Sequence, residues 1–138
     1  MKLDIHTRTA AQALADQLVV QGVEHVFCVP GESYLAVLDA LRDSPIEVTV
    51  CRHEGGAAMM AEAVGRATGR PGVAFVTRGP GAMNAAHGVH IARQGSTPMI
   101  LFVGQVERSV RGREAWQEID YAAVFGSMTK WAAELDEA

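Results

Sequence analysis

A few short stretches of this sequence hold residue types suited to chemistry rather than packing. Glu54 follows Arg52-His53 and opens the small-residue run Gly55-Gly56-Ala57-Ala58. An acid at the start of a helix gains from the helix dipole, so a plain first-turn carboxylate is one reading. A positioned proton carrier is the other. The segment Thr77 to Asn84 (TRGPGAMN) is a glycine-rich turn after an apolar run. Such turns can cradle phosphate on backbone N–H groups, but the GxGxxG spacing and the P-loop lysine are absent, and Pro80 removes a donor. An ordinary tight turn therefore stands beside the phosphate cradle. Pro30-Gly31-Glu32-Ser33 and Gly104-Gln105-Val106 interrupt apolar runs in the same way. Gln105 and Gln117 either bond local backbone or face a ligand. His87 and His90 stand at i, i+3 with no suitable carboxylate or thiol beside them, so no metal site is expected.

The elements that must position these residues alternate. Thr9 to Gln21 carries a helical apolar stripe, and His25 to Val29 reads as a short buried strand. Tyr34 to Leu41 is helical and Ile46 to Cys51 alternates as a strand. Glu54 to Thr68 is the clearest helix, and Val73 to Thr77 a third strand ending in the Arg78–Gly81 turn. Ala82 to Gln94 is a helix of small residues. Pro98 to Gly104 is apolar throughout, as for a strand covered on both faces. A short helix near Ile119 to Phe125 follows, and Met128 to Ala132 is expected to start a fifth strand.

Strands and helices in alternation specify an α/β fold: a doubly wound, mostly parallel sheet with helices on both faces. In such sheets ligands sit at the carboxyl ends of the strands, where all four unusual loops fall. Along one face of the Glu54 helix, Ala57, Ala58, Ala61 and Gly65 are small, which suits close approach by another element or subunit.

The run Cys51-Arg52-His53-Glu54-Gly55-Gly56-Ala57-Ala58-Met59-Met60-Ala61, with Gly65-Arg66-Ala67-Thr68-Gly69 after it, resembles the thiamine-diphosphate-dependent enzymes. The Gly-Pro-Gly with its trailing Asn84, then Gly104-Gln105-Val106 and Gln117-Glu118-Ile119-Asp120, keep the family order and resemble acetolactate synthases most. The resemblance implies that Glu54 hydrogen-bonds N1′ of the cofactor aminopyrimidine, whose amino group then deprotonates the thiazolium C2 for attack on a 2-oxo acid. It places Pro30, Gly31, Gly79, Pro80 and Asn84 at the cofactor, and Gln105 and Gln117 near the reacting carbons. It also brings departures. Acetolactate synthases usually carry Pro-Gly-Gly at Pro30-Gly31-Glu32, Thr-Asn at Met83-Asn84 and Phe at Trp116, which bears on the substrate. Other family branches are decarboxylases, lyases or acetyltransferases.

The chain has 138 residues, enough for one domain, here the pyrimidine-binding one, spanning residues 1–138. The Gly-Asp-Gly segment that holds magnesium and the diphosphate in this family is not found here, nor is the middle domain that often carries FAD. The expectation is therefore a fragment, a truncated product or one chain of a split enzyme, inactive alone. Thiamine diphosphate is the expected cofactor, and a homodimer or larger assembly with a diphosphate-binding domain the expected partnership. A non-catalytic flavodoxin-like module, nucleotide-binding or regulatory, is the alternative. A net charge of −4 with scattered Lys and Arg argues against nucleic acid or anionic membrane as partner. No run reaches the roughly 20 apolar residues of a membrane span, the start lacks a signal peptide, and Cys28 and Cys51 read as reduced buried thiols, all of which suggests the cytoplasm.

Overall fold

The computed structural model describes residues 8–135. They form helices α1 (Ala10–Val20), α2 (Leu35–Arg42), α3 (Glu54–Thr68), α4 (Gly79–Gln94) and α5 (Tyr121–Phe125), with strands β1 (His25–Cys28), β2 (Glu47–Val50), β3 (Gly72–Val76) and β4 (Met99–Val103). Local chemistry sets their limits. A capping box starts α1: Gln12 N–H donates to Thr9 Oγ1 (3.2 Å) and Thr9 N–H to Gln12 Oε1 (2.9 Å). Gly69, at φ 69°, ends α3 in the left-handed conformation that glycine takes at least cost.

All strand pairs are parallel, in the order β2-β1-β3-β4. Residues alternate between the faces. Val26, Cys28, Val73 and Phe75 meet α1 and α2 in one core, whereas Phe27 and Ala74 meet Ala57 and Ala61 of α3 in another. A third cluster joins Val76 to Ala82, Ala85 and Val89 of α4 and to Phe125 of α5. Helices thus cover both faces, as a doubly wound sheet requires. Stacked rings of Tyr34, Phe75 and Phe102 tie the first core together, with centroids 5.9 and 4.7 Å apart. The Tyr34 hydroxyl donates to the carbonyls of Val29 and Phe75, and burial pushes its pKa up.

Four sequence expectations need correction. The segment Met128–Ala132 does not form a fifth strand. Met128 N–H and the Thr129 hydroxyl donate back to the Phe125 carbonyl (2.8 and 2.9 Å), so this stretch ends α5 as turns instead of pairing with β4. Consequently β4 is an edge strand among the described residues, with Ile100 40 % exposed, and β3 is the strand buried at every position. The Gly79–Gly81 turn is the first turn of α4, where the missing N–H of Pro80 costs nothing. Finally, the small-residue face of α3 is used within the chain: Ala57, Ala58 and Ala61 are fully buried, and a Cβ on Gly88 of α4 would stand 2.6 Å from that of Ala58. Close approach was correctly anticipated, but the partner is α4 and not a second subunit.

Candidate functional site

The sheet order reverses between β1 and β3, so the loops after them leave in opposite directions and open a crevice at their carboxyl ends. The loop after β1 folds into that crevice. A Cβ on Gly31 would meet the Thr77 side chain at 2.6 Å, and one on Gly104 would overlap Ser33. Ser33 Oγ and Thr77 Oγ1 are hydrogen-bonded at 2.9 Å. The tips of β1, β3 and β4 are thereby joined through Ser33 and Thr77, residues to which the sequence alone assigned no part.

Glu54 begins α3 directly after β2, and His53 caps that helix through Nδ1, which accepts Gly55 N–H at 3.0 Å. His53 is therefore a structural residue. The Glu54 carboxylate turns toward α4, where Asn84 Nδ2 donates to Oε2 at 2.9 Å. Its other oxygen, Oε1, faces Gly81, where an added Cβ would stand 3.4 Å away. Glu54 is neither turned into the core nor neutralised by an arginine. It is half-buried at the strand ends, steered by a neutral amide thirty positions on, with one oxygen toward a glycine.

Of the other predicted residues, Pro30 and Pro80 are exposed beside the crevice and Gly79 is buried. Gly79 has a second task. Its N–H donates to the Gln117 carbonyl at 2.8 Å, and a side chain there would collide with that carbonyl and with Ile119. Gln117 is held at φ 66°, unusual for a residue with a Cβ, so α4 grips the distal loop at a constrained point. Glu118 closes the loop by accepting Gly112 N–H (2.7 Å) and Ala115 N–H (3.1 Å), bonds that hold its carboxyl below the usual range. Trp116 lies 77 % exposed at its tip. Gln105 follows β4, with its own Oε1 accepting Val106 N–H at 2.8 Å. Thus Glu54, Asn84, Gly81, Gly31 and Gln105 share the strand-end edge, and Gln117 is fastened to it through its backbone.

The strand order is also that of flavodoxin-like sheets, so topology does not discriminate between the two readings. The first turn of α4 does. Gly79 N–H is taken by Gln117, Pro80 has none, and Ala82 N–H donates to the Arg78 carbonyl, so no row of amides is left to cradle a phosphate. No group of three His, Cys, Asp or Glu among the described residues could hold a metal ion. No helix among them is long and apolar enough to cross a membrane. Two hollows lie elsewhere, one between α1 and α2 and one at the amino ends of the strands, and neither contains Glu54, Asn84 or a strand-end loop. At the strand-end edge Pro30, Pro80 and Asn84 are exposed and Glu54 is half-buried.

Residues 8–124 match the family described as "Thiamine pyrophosphate enzyme, N-terminal TPP binding domain". The chain is 46 % identical over 127 residues to acetolactate synthase of Bacillus subtilis (strain 168), a match covering 92 % of this chain and 22 % of that protein. It is 42 % identical over 125 residues to the catabolic acetolactate synthase of Raoultella terrigena (91 % of this chain, 22 % of that protein). Against the acetolactate synthase isozyme 2 large subunit of Escherichia coli (strain K12) it is 42 % identical over 120 residues (87 % and 22 %). The chain therefore spans about a fifth of the length of these relatives.

Proposed function

The chain belongs to the thiamine pyrophosphate enzyme family, as its N-terminal TPP binding domain, and from that premise we propose that it supplies the pyrimidine-binding wall of an acetolactate synthase-like enzyme that decarboxylates and joins 2-oxo acids. The observation that carries the proposal is the Glu54–Asn84 pair, brought together at the strand ends by α3 and α4. When bound, thiamine diphosphate supplies the electron sink that lets a 2-oxo acid lose carbon dioxide. The residues fit its ring. Glu54 presents a carboxyl group to hold the proton at N1′, and Asn84 keeps that group from rotating. Glycine at 81 leaves the approach to Glu54 Oε1 clear, and glycine at 31 lets the loop after β1 sink against Thr77, with Pro30 and Pro80 at the margins. In this reading Gln105 and Gln117 serve the reacting carbons.

In this reading the chain supplies one wall of the site, and a second one is needed to exclude water. In this reading it is a diphosphate-binding domain of another subunit or chain, which holds the magnesium ion, in a cytoplasmic homodimer or larger assembly. FAD, where used, belongs to the middle domain. Turnover is then a property of the complete protein. The test combines the chain with a diphosphate-binding partner, magnesium and thiamine diphosphate. Pyruvate decarboxylation should occur and vanish in Glu54→Gln, whereas equal rates in wild type and mutant would reject the role of Glu54.

A further inference from the structure

We propose that Gln105 and Arg111 form the receptor for the carboxylate of the 2-oxo acid, and that the side chain of Glu134 occupies it in this structure. The proposal rests on the reading that the strand ends serve a 2-oxo acid reaction. Two donors from different segments converge on a single oxygen: Gln105 Nε2 donates to Glu134 Oε1 at 2.9 Å, and Arg111 Nη2 lies 2.9 Å from the same atom. Gln105 cannot exchange its amide ends without losing the Val106 N–H bond to its Oε1, so its NH2 group stays turned toward an acceptor. Arg111 adds a permanent charge on a side chain only 24 % exposed. An amide and a guanidinium aimed at one point recognise a carboxylate.

The receptor is continuous with the site. Gln105 adjoins Gly104, which packs on Ser33; Ser33 bonds Thr77, and Thr77 and Glu54 both face Gly81. More donors wait nearby. The Tyr121 hydroxyl and Arg78 Nε are buried with no hydrogen-bond partner, and Tyr121 feels the charges of both Arg78 and Glu134. Buried polar atoms left unsatisfied in a native fold call for an explanation. A 2-oxo acid carries a keto oxygen beside its carboxylate and so offers these donors an acceptor that a simple carboxylate lacks. Glu134 reaches the receptor from a stretch without regular structure and is itself 44 % exposed, and ion pairs so exposed are weak enough to be displaced.

The experiment titrates pyruvate, and separately acetate, into the complete protein freed of thiamine diphosphate so that nothing turns over. Binding is read by saturation transfer to the ligand methyl protons. Pyruvate should bind more tightly than acetate. Arg111→Met should weaken pyruvate by about tenfold or more, with Arg111→Lys intermediate, because a partly shielded charge-assisted contact is lost. Glu134→Gln should tighten binding by about threefold or more, since the competing charge is gone. Circular dichroism confirms that each variant is folded, and Gln105→Leu repeats the test should Arg111→Met not fold. Equal pyruvate affinity in wild type, Arg111→Lys and Gln105→Leu overturns the proposal, as does a Glu134→Gln protein that binds no tighter. Glu54→Gln should bind pyruvate as wild type does. If Glu54→Gln keeps full activity with cofactor while Arg111→Met loses pyruvate, the cofactor reading fails and the receptor stands.

Discussion

Replacing Gly88 with alanine should loosen the candidate site without touching any residue in it. Gly88 lies one helical turn beyond Asn84, and Ala58 one turn beyond Glu54, so the Gly88–Ala58 contact is the rung next to the Asn84–Glu54 hydrogen bond. An alanine Cβ at 88 would stand 2.6 Å from the Ala58 Cβ and 3.0 Å from the Ala58 carbonyl carbon. Carbon atoms settle at roughly 3.5–4.0 Å, so α3 and α4 must part by about 1 Å. The same displacement would carry the Asn84–Glu54 bond from 2.9 Å to beyond the limit of hydrogen bonding. Overpacking of this kind costs about 1–3 kcal/mol. For a domain of this size each kcal/mol lowers Tm by roughly 3–5 °C, so a fall of about 3–15 °C is expected by calorimetry. Losing a hydrogen bond to a charged group is worth about 1.5–3 kcal/mol, which sets the expected drop in decarboxylation of the reconstituted enzyme at about 10–100-fold. Adding Ala58→Gly removes the nearest clashing atom, so the double mutant should be less destabilised than the sum of the single changes. A Gly88→Ala protein that melts with wild type and turns over at the same rate would refute the claim that helix spacing sets the Glu54 geometry.

Other perturbations probe single links. Asn84→Ala should fold normally, because Asn84 is exposed, yet lower decarboxylation by about tenfold or more as the Glu54 carboxyl gains freedom. Tyr34→Phe leaves the Val29 and Phe75 carbonyls without their shared donor and should cost about 1–2 kcal/mol in denaturant unfolding, with little change in rate per folded molecule. The Glu118 loop should respond to acid. Backbone hydrogen bonds from Gly112 and Ala115 depress the folded pKa of Glu118 below its unfolded value, so its contribution is complete above that unfolded value and is lost as the pH falls through the folded one. Hydrogen exchange at the Gly112 and Ala115 amides should therefore gain protection from Glu118 at neutral pH and lose it in acid, and Glu118→Gln should flatten that dependence.

Much of this was legible in the residues because it is local or periodic. The bounds of α3 from Glu54 to Thr68, the strand–helix alternation and the placing of four loops at one edge follow from apolar spacing and from glycine and proline. The failures share a cause. Met128–Ala132 has strand-like residues, but whether such a run pairs with an edge or folds back on a helix depends on which acceptors are within reach, here the Phe125 carbonyl. The small face of α3 announced close packing without naming the partner, since an alanine stripe looks the same toward α4 as toward another subunit.

The sequence by itself determined the chemistry on offer: one carboxylate at a helix start, a glycine-bounded approach to it, and amides in the loops. Only the tertiary structure decided how these meet. It paired Asn84 with Glu54, set Gly79 against Gln117, and turned Gln105 and Arg111 toward one oxygen. Each of these contacts joins separate segments, and their geometry is fixed by how far apart packed helices and strands come to rest, a quantity that no single stretch of chain encodes.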